Sequence, residues 1–375
     1  MVHDSYPELQ YQIALCMAPA IGPRTARKLI KKAGSASRVF SMNRNSLETI
    51  PSIGPRMSQS ILSPVLVEQA GKELEFIERH KIKALYFKDE QYPARLKECV
   101  DAPILLYARG NEGLNTKKAL SVVGTRKASA YGKELCRKIV LELGDLIDDL
   151  VIISGLAYGI DVIAHRAALE AGVPTVAVLG HGFRTLYPHA HRETAKHISQ
   201  HGALVTDFHS GIGPERNNFL RRNRIIAGMA DATLVVESAA SGGALITADL
   251  ASSYDRIVLA VPGRASDERS KGCNRLIKLH VAAMVESATD VAEELNWTTK
   301  HSLTGKLLSE QAAVKKEERL LLELMVRHSG LGPGELSRQS GLSIPVVLSL
   351  LTEMELKRWV HAEPGNLYQS MLELS

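Results

Sequence analysis

The chain is short of features that several classes of enzyme and membrane protein depend on. Its four cysteines, Cys16, Cys99, Cys136 and Cys273, lie far apart. No pair has the close spacing of zinc or redox sites, so they read as separate thiols in a reducing compartment. No apolar run reaches the ~18–20 residues of a membrane span. The N-terminus, MVHDSYPELQ, has no basic region leading into an apolar one, so a cytoplasmic protein without a membrane partner is expected. There is no Gly-x-x-x-x-Gly-Lys-Ser/Thr, which excludes a P-loop, and Gly124-Thr125-Arg126-Lys127-Ala128-Ser129 lacks the second and third glycines of a dinucleotide fingerprint. His181, His189 and His191 crowd one segment without matching carboxylates or cysteines. Neither a cofactor nor a metal is therefore expected. Aromatic residues are scarce, at 5%.

What is present is enough apolar surface to fold. Hydrophobic residues make up 45% and charged residues 23% of 375, a length that calls for more than one domain. The net charge of +5 permits a polyanionic partner without demanding one, so the clustering of basic residues decides. Periodicity divides the chain into a helical domain over 1–75, a strand-and-helix domain over 76–300, a polar linker over 301–317 and a second helical domain over 318–375.

The first domain holds a repeat: Ala20-Ile21-Gly22-Pro23-Arg24 and Ser52-Ile53-Gly54-Pro55-Arg56. Two readings stay open. In a helix-hairpin-helix, such turns present backbone N–H groups to a phosphate. In a plain pair of helical hairpins, Gly-Pro only ends a loop and starts a helix.

The middle domain is the most legible. Apolar runs at Leu120–Val123, Leu150–Ile153, Thr175–Leu179, Ala203–Thr206, Ala232–Val236 and Ile257–Val261 alternate with helical stretches. This predicts an α/β fold with a Rossmann-like, doubly wound, mostly parallel sheet, whose ligands sit beyond the carboxyl ends of the strands. The residues just after those runs share one chemistry: Gly124-Thr125-Arg126, Ser154-Gly155, Gly180-His181-Gly182, and Ser241-Gly242 after Glu237-Ser238. Small residues there let backbone amides approach phosphate oxygens. Arg221-Arg222-Asn223-Arg224 puts three guanidinium forks within about one helical turn, and the expectation is an anion site shared with Arg126. If the polyanion is a nucleic-acid strand with unpaired bases, stacking on aromatic rings is also called for. Phe183, beside Arg184, is the first candidate, with Tyr187 and Phe219 as others.

No catalytic residue is assigned. Asp161 and His165 stand at i,i+4 near Ser154, but no Gly-x-Ser-x-Gly elbow accompanies them. Two competing functions remain. One is a Rossmann-like enzyme hydrolysing nucleoside monophosphates, against which Leu245 and Ile246 are too bulky for its phosphate turn. The other is a scaffold for recombination that does not itself hold DNA.

Taken together, these motifs resemble the DprA (Smf) family of DNA-processing proteins. The resemblance runs through Ser121-Val122-Val123-Gly124-Thr125-Arg126, Ile153-Ser154-Gly155-Leu156-Ala157-Tyr158-Gly159-Ile160-Asp161 and Val178-Leu179-Gly180-His181-Gly182. It continues through Arg222-Asn223-Arg224-Ile225-Ile226-Ala227-Gly228, Ser241-Gly242-Gly243-Ala244-Leu245 and Val261-Pro262-Gly263. It departs at Asp207, at Leu220, where proline is usual, and in the segment Leu279-His280-Val281-Ala282-Ala283, which replaces a familiar Gly-Ala. The resemblance implies a protein that binds single-stranded DNA, protects it during natural transformation and loads the RecA recombinase onto it. It also implies a homodimer through the Rossmann-like domain. Arg126, Arg222 and Arg224 are its implied phosphate ligands, with Gly124, Ser154, Gly155, Ser241 and Gly242 giving close backbone approach.

The last domain resembles a winged helix, with helices near 318–328, 334–339 and 343–357 and a hairpin turning at Pro364-Gly365. Residues 318–375 hold five Lys+Arg against seven Asp+Glu. Acidic residues oppose phosphate approach, so a protein-contact module is expected.

Overall fold

The computed structural model describes residues 6–110, 113–299, 316–327, 330–356, 359–363 and 367–370. It comprises two units, Met1–Lys300 and His301–Ser375. Most of the expected linker, from 301 to 315, and the turn at Pro364-Gly365 lie outside the described residues.

Within the first unit the strands are β1 (Lys83–Tyr86), β2 (Leu105–Gly110), β3 (Lys118–Val123), β4 (Leu150–Ser154), β5 (Thr175–Val178), β6 (Gly202–Thr206), β7 (Ala232–Val235), β8 (Ile257–Ala260) and β9 (Ala283–Met284). They form one sheet in the order β1-β2-β6-β5-β4-β3-β7-β8-β9. From β6 to β9 every pairing is parallel. The β1-β2 and β2-β6 pairings are antiparallel. All six predicted strands are present, and the fold is the expected doubly wound one. The antiparallel extension was not foreseen, because a run such as Leu105-Leu106-Tyr107-Ala108 is buried on both faces and carries no period.

The period of two is clear where both faces are covered. Leu120 and Val122 face a core formed with Ile139, Val140 and Ala164 of the helices Ala130–Leu146 and Ile160–Glu170. Ala119 and Val123 face the opposite core, shared with Ile225, Ile226 and Ala248 of the helices Arg216–Gly228 and Gly243–Ser253. The chain builds β3 to β6 in one direction and then returns past β3 to β7. The connections leaving β3 and β7 therefore diverge and open a crevice at their carboxyl ends.

The N-terminal helices, from Glu8–Met17 to Pro64–Arg79, close over Ile104, Leu105 and Tyr107 and share one core with them. A polar latch adds to this contact. The buried Glu73 carboxylate accepts from the Ser210 backbone N–H at 2.7 Å and from the Ser210 hydroxyl at 2.5 Å. Glu73→Ala leaves two buried donors unpaired and should cost about 2–4 kcal/mol, read as a lowered denaturation midpoint with an unchanged slope.

In the second unit the helices Lys316–Arg327, Pro333–Ser340 and Ile344–Leu356 pack around Leu322, Leu336, Leu351 and Trp359. They are followed by an antiparallel pair, β10 (Val360–Glu363) and β11 (Leu367–Ser370). This is a winged helix. No Lys or Arg occurs in Ile344–Leu356, whereas Glu353 and Glu355 do.

Candidate nucleic-acid interface

The crevice at the switch point is a cleft of about 380 Å³, bounded by Gly124-Thr125-Arg126, by Ser238–Ala244 and by one face of the helix Arg216–Gly228. Its walls are tied to one another through the backbone. The Thr125 N–H donates to Glu237 O at 2.7 Å, and the Ile160 N–H donates to Thr125 O at 3.3 Å. Gly159 makes this closure possible: its φ is +79°, and a Cβ there would lie 2.1 Å from Thr125 O.

Two cations and a ring stand at the mouth. Arg126 and Arg216 are exposed and line the cleft. The Arg126 guanidinium lies 5.5 Å from the centre of the half-buried Phe219 ring, which meets Tyr187 at 5.6 Å. The helix Gly243–Ser253 begins in the same cleft at Gly242, and among the described residues no side chain caps it. Its first N–H groups and the positive end of its dipole favour an anion there.

The arginine run fans out: Arg222 lies in the floor of the cleft, whereas Arg221 and Arg224 are not among its lining residues, which corrects the expectation of one shared site. Successive residues on a helix are ~100° apart, so neighbouring arginines cannot share a face. Arg222 is 3% exposed. Its guanidinium donates to Gly155 O at 2.7 Å and to Val178 O, bracing the ends of β4 and β5 from the floor of the cleft. Burial pulls it down to about 10, against the pull of Asp161. Arg224 turns towards Asp207, with which it forms an ion pair, and donates to Asp101 O. Arg221 is exposed, but its guanidinium lies 5.3 Å over Phe208, away from the cleft wall.

The remaining expected residues divide as follows. Gly124, Thr125, Asn223, Ser241 and Gly242 line the cleft. Asn223 donates to Gly243 O at 3.2 Å. Ser154 is fully buried and donates to Val122 O at 2.6 Å, so it ties β4 to β3 and does not reach the surface. Gly155 is close to Arg222: a Cβ there would stand 2.4 Å from its Nη1. Phe183 packs against the N-terminal core with Arg109 at 5.2 Å from its ring centre, and Arg184 lies over Phe76. Neither lines the cleft. The residue missed in the sequence is Arg216. Arg216, Phe219 and Asn223 stand at i, i+3 and i+7 on one helix face, a signal that the denser run after it obscured.

The floor of the cleft is a buried polar layer in which Asp161 and Arg222 are themselves lining residues. Burial pushes the Asp161 carboxyl up, while Arg222, the Ala157 N–H and Arg126 pull it down. The fully buried His165 meets Thr175 Oγ1 at 2.7 Å through Nδ1, and it does not line the cleft. Burial, then Arg222 and His191, depress its pKa from 6.5 to about 3. In the unfolded chain it binds a proton near pH 6.5 and in the folded chain only near 3, so stability is fully present above 6.5 and lost as pH falls between the two. Burial shifts His181 and His209 in the same direction. The wild type should lose about 2 kcal/mol more than His165→Leu between pH 7 and pH 5, measured by denaturant titration at each pH.

Among the described residues, no cluster of three His, Cys, Asp or Glu side chains could hold a metal ion. Among them, too, no helix is long and apolar enough to cross a membrane.

Residues 83–296 match the family of DNA recombination-mediator protein A, and residues 309–366 match the DprA winged helix domain. The chain is 34% identical over 280 residues to protein Smf of Escherichia coli, covering 74% of each. Its structure is similar to that of DNA processing protein A from Streptococcus pneumoniae, with a TM-score of 0.63 and 29% identity, over 76% of this chain and 97% of that one. It is also similar to a structure of DNA processing protein A from Helicobacter pylori described for its single-stranded DNA binding mode. There the TM-score is 0.52 and the identity 25%, over 57% of this chain and 95% of that one.

Proposed function

The chain belongs to the DNA recombination-mediator protein A family, and on that premise we propose that it binds single-stranded DNA in the cleft between β3 and β7. One observation carries the reading: Arg126, Arg216 and the Phe219 ring converge on the uncapped start of the helix Gly243–Ser253. Cations and free amides suit phosphate oxygens, and the partly exposed ring beside them suits an unstacked base. A cleft of about 380 Å³ takes a nucleotide-sized group but not a duplex. Gly124, Thr125, Asn223, Ser241 and Gly242 shape this site, while Arg222, Ser154 and Gly155 hold its floor.

In this reading the protein is a binding platform that protects the strand and passes it to the RecA recombinase. It acts as a homodimer of the Rossmann-like domain. Leu279, Val281 and Met284 are exposed beside the edge strand β9 and offer an apolar surface for that pairing. The winged helix, with no basic residue on Ile344–Leu356, serves protein contact.

The test is titration of a labelled single-stranded oligonucleotide, with a duplex of the same sequence as control. We expect the single strand to bind more tightly, with an affinity that falls steeply with salt. Equal or tighter duplex binding, or release of base or ribose phosphate from nucleoside monophosphates, overturns the reading.

A further inference from the structure

The cleft leaves the N-terminal helical layer without a role, yet the most one-sided charge in the described chain lies there. In the helix Pro23–Ala33, Ala26, Leu29 and Ile30 are buried. Arg24, Arg27, Lys28, Lys31 and Lys32 fall at i, i+3, i+4, i+7 and i+8, which is one continuous stripe, and the helix contains no acidic residue. Arg24, Lys28, Lys31 and Lys32 are exposed, and among the described residues none is in an ion pair. The arrangement works against the helix itself. Like charges four residues apart repel, and Arg24 stands in the first turn, where the dipole is already positive. A polyanion along the stripe removes both penalties.

The position of this helix indicates which polyanion. Arg27, at the edge of the stripe, lies 5.0 Å over the Phe87 ring and donates to Cys99 O at 3.4 Å. Phe87 directly follows β1 and donates to Ile104 O, beyond the Tyr86–Leu105 pair. Because Tyr107 of β2 pairs with Thr206, the last residue of β6, this end of β1 and β2 lies past the carboxyl end of β6. The cleft opens at the same edge of the sheet, with β2, β6, β5 and β4 between β1 and β3, a separation of ~24 Å at ~4.8 Å per strand. Between the two, exposed Arg221 lies over Phe208, just after β6.

We propose that the helix Pro23–Ala33 is a second phosphate-binding segment for the same single strand, which leaves the cleft along the carboxyl edge of the sheet and runs over Lys28 and Lys31. The inference rests on the reading of the cleft as a DNA site. It assigns the stripe to nucleic-acid backbone, with no base readout, because the stripe offers cations and no accessible ring of its own.

The experiment compares the full chain with Lys28→Glu/Lys31→Glu, using single strands of about 6 and about 20 nucleotides, which bracket typical single-strand site sizes, and a duplex of the longer length. Both substitutions are at exposed positions and keep good helix formers, and unchanged thermal melting verifies the fold. The short strand should bind both proteins equally. The long strand should bind wild type about ten-fold more tightly than the variant, with a salt slope steeper by about 1.4, at ~0.7 per phosphate contact. A long-strand advantage that survives in the variant, or a defect confined to the duplex, overturns the inference and leaves the cleft standing. Failure of the short strand to bind wild type removes the cleft reading, and this inference with it.

Discussion

Replacing Arg222 with alanine should destabilise the first unit by about 3–5 kcal/mol and lower its melting temperature on the order of 10 °C. The side chain is buried and its Nη1 donates to both Gly155 O and Val178 O. Alanine leaves those carbonyls without that donor and removes a cation that compensates Asp161, also buried. Arg222→Lys keeps the charge, but its shorter side chain does not carry a donor to the Nη1 position between the two carbonyls, so it should recover at most about half of the loss. Gly155→Ala tests the same contact from the other side, since its Cβ would stand 2.4 Å from Arg222 Nη1. It should be severely destabilising alone and nearly neutral in an Arg222→Ala background. That coupling, read from a double-mutant cycle of denaturation free energies, distinguishes a brace from a surface phosphate ligand. Additive effects would show that Arg222 is not held by Gly155.

The second large effect concerns DNA. Arg126→Ala/Arg216→Ala should weaken single-strand binding by about 100-fold, taking ~1.5 kcal/mol or more for each charged hydrogen bond lost. The salt slope should fall by about 1.4. Melting should scarcely change, because both side chains are exposed. Arg221→Ala, on the other side of the helix over Phe208, should stay within about three-fold of wild type on a strand short enough to occupy only the cleft. The contrast between these variants follows from helix geometry: Arg221 is ~140° round from Arg216.

The sequence made the frame legible where burial is two-sided. Strand-length apolar runs punctuated by Gly and Ser identified β3 to β8, and the turns after β3 and β7 identified the edge that carries the cleft. Side-chain direction was harder to read. Arg222 and Arg224 were counted with Arg126 because they are arginines in a dense run, yet their partners, Val178 at the end of β5 and Asp207 just after β6, are invisible to local pattern. Phe183 looked accessible beside Arg184 and glycines, but it packs, partly buried, against the core of the N-terminal helices, which are far away in sequence. Ser154 lies after a strand like a phosphate-binding serine, yet its hydroxyl is taken by Val122 O of the neighbouring strand. Arg216, isolated in the sequence, becomes a cleft residue because three and seven positions later Phe219 and Asn223 share its face.

The central claim, that the switch-point cleft is where the strand sits, is tested most directly by amide hydrogen exchange with and without a short single-stranded oligonucleotide. Bound DNA should slow exchange at 124–127, 216–220 and 238–244, with little change at 344–370. A strand that binds while those three segments exchange as in the free protein would place the site elsewhere and contradict the account.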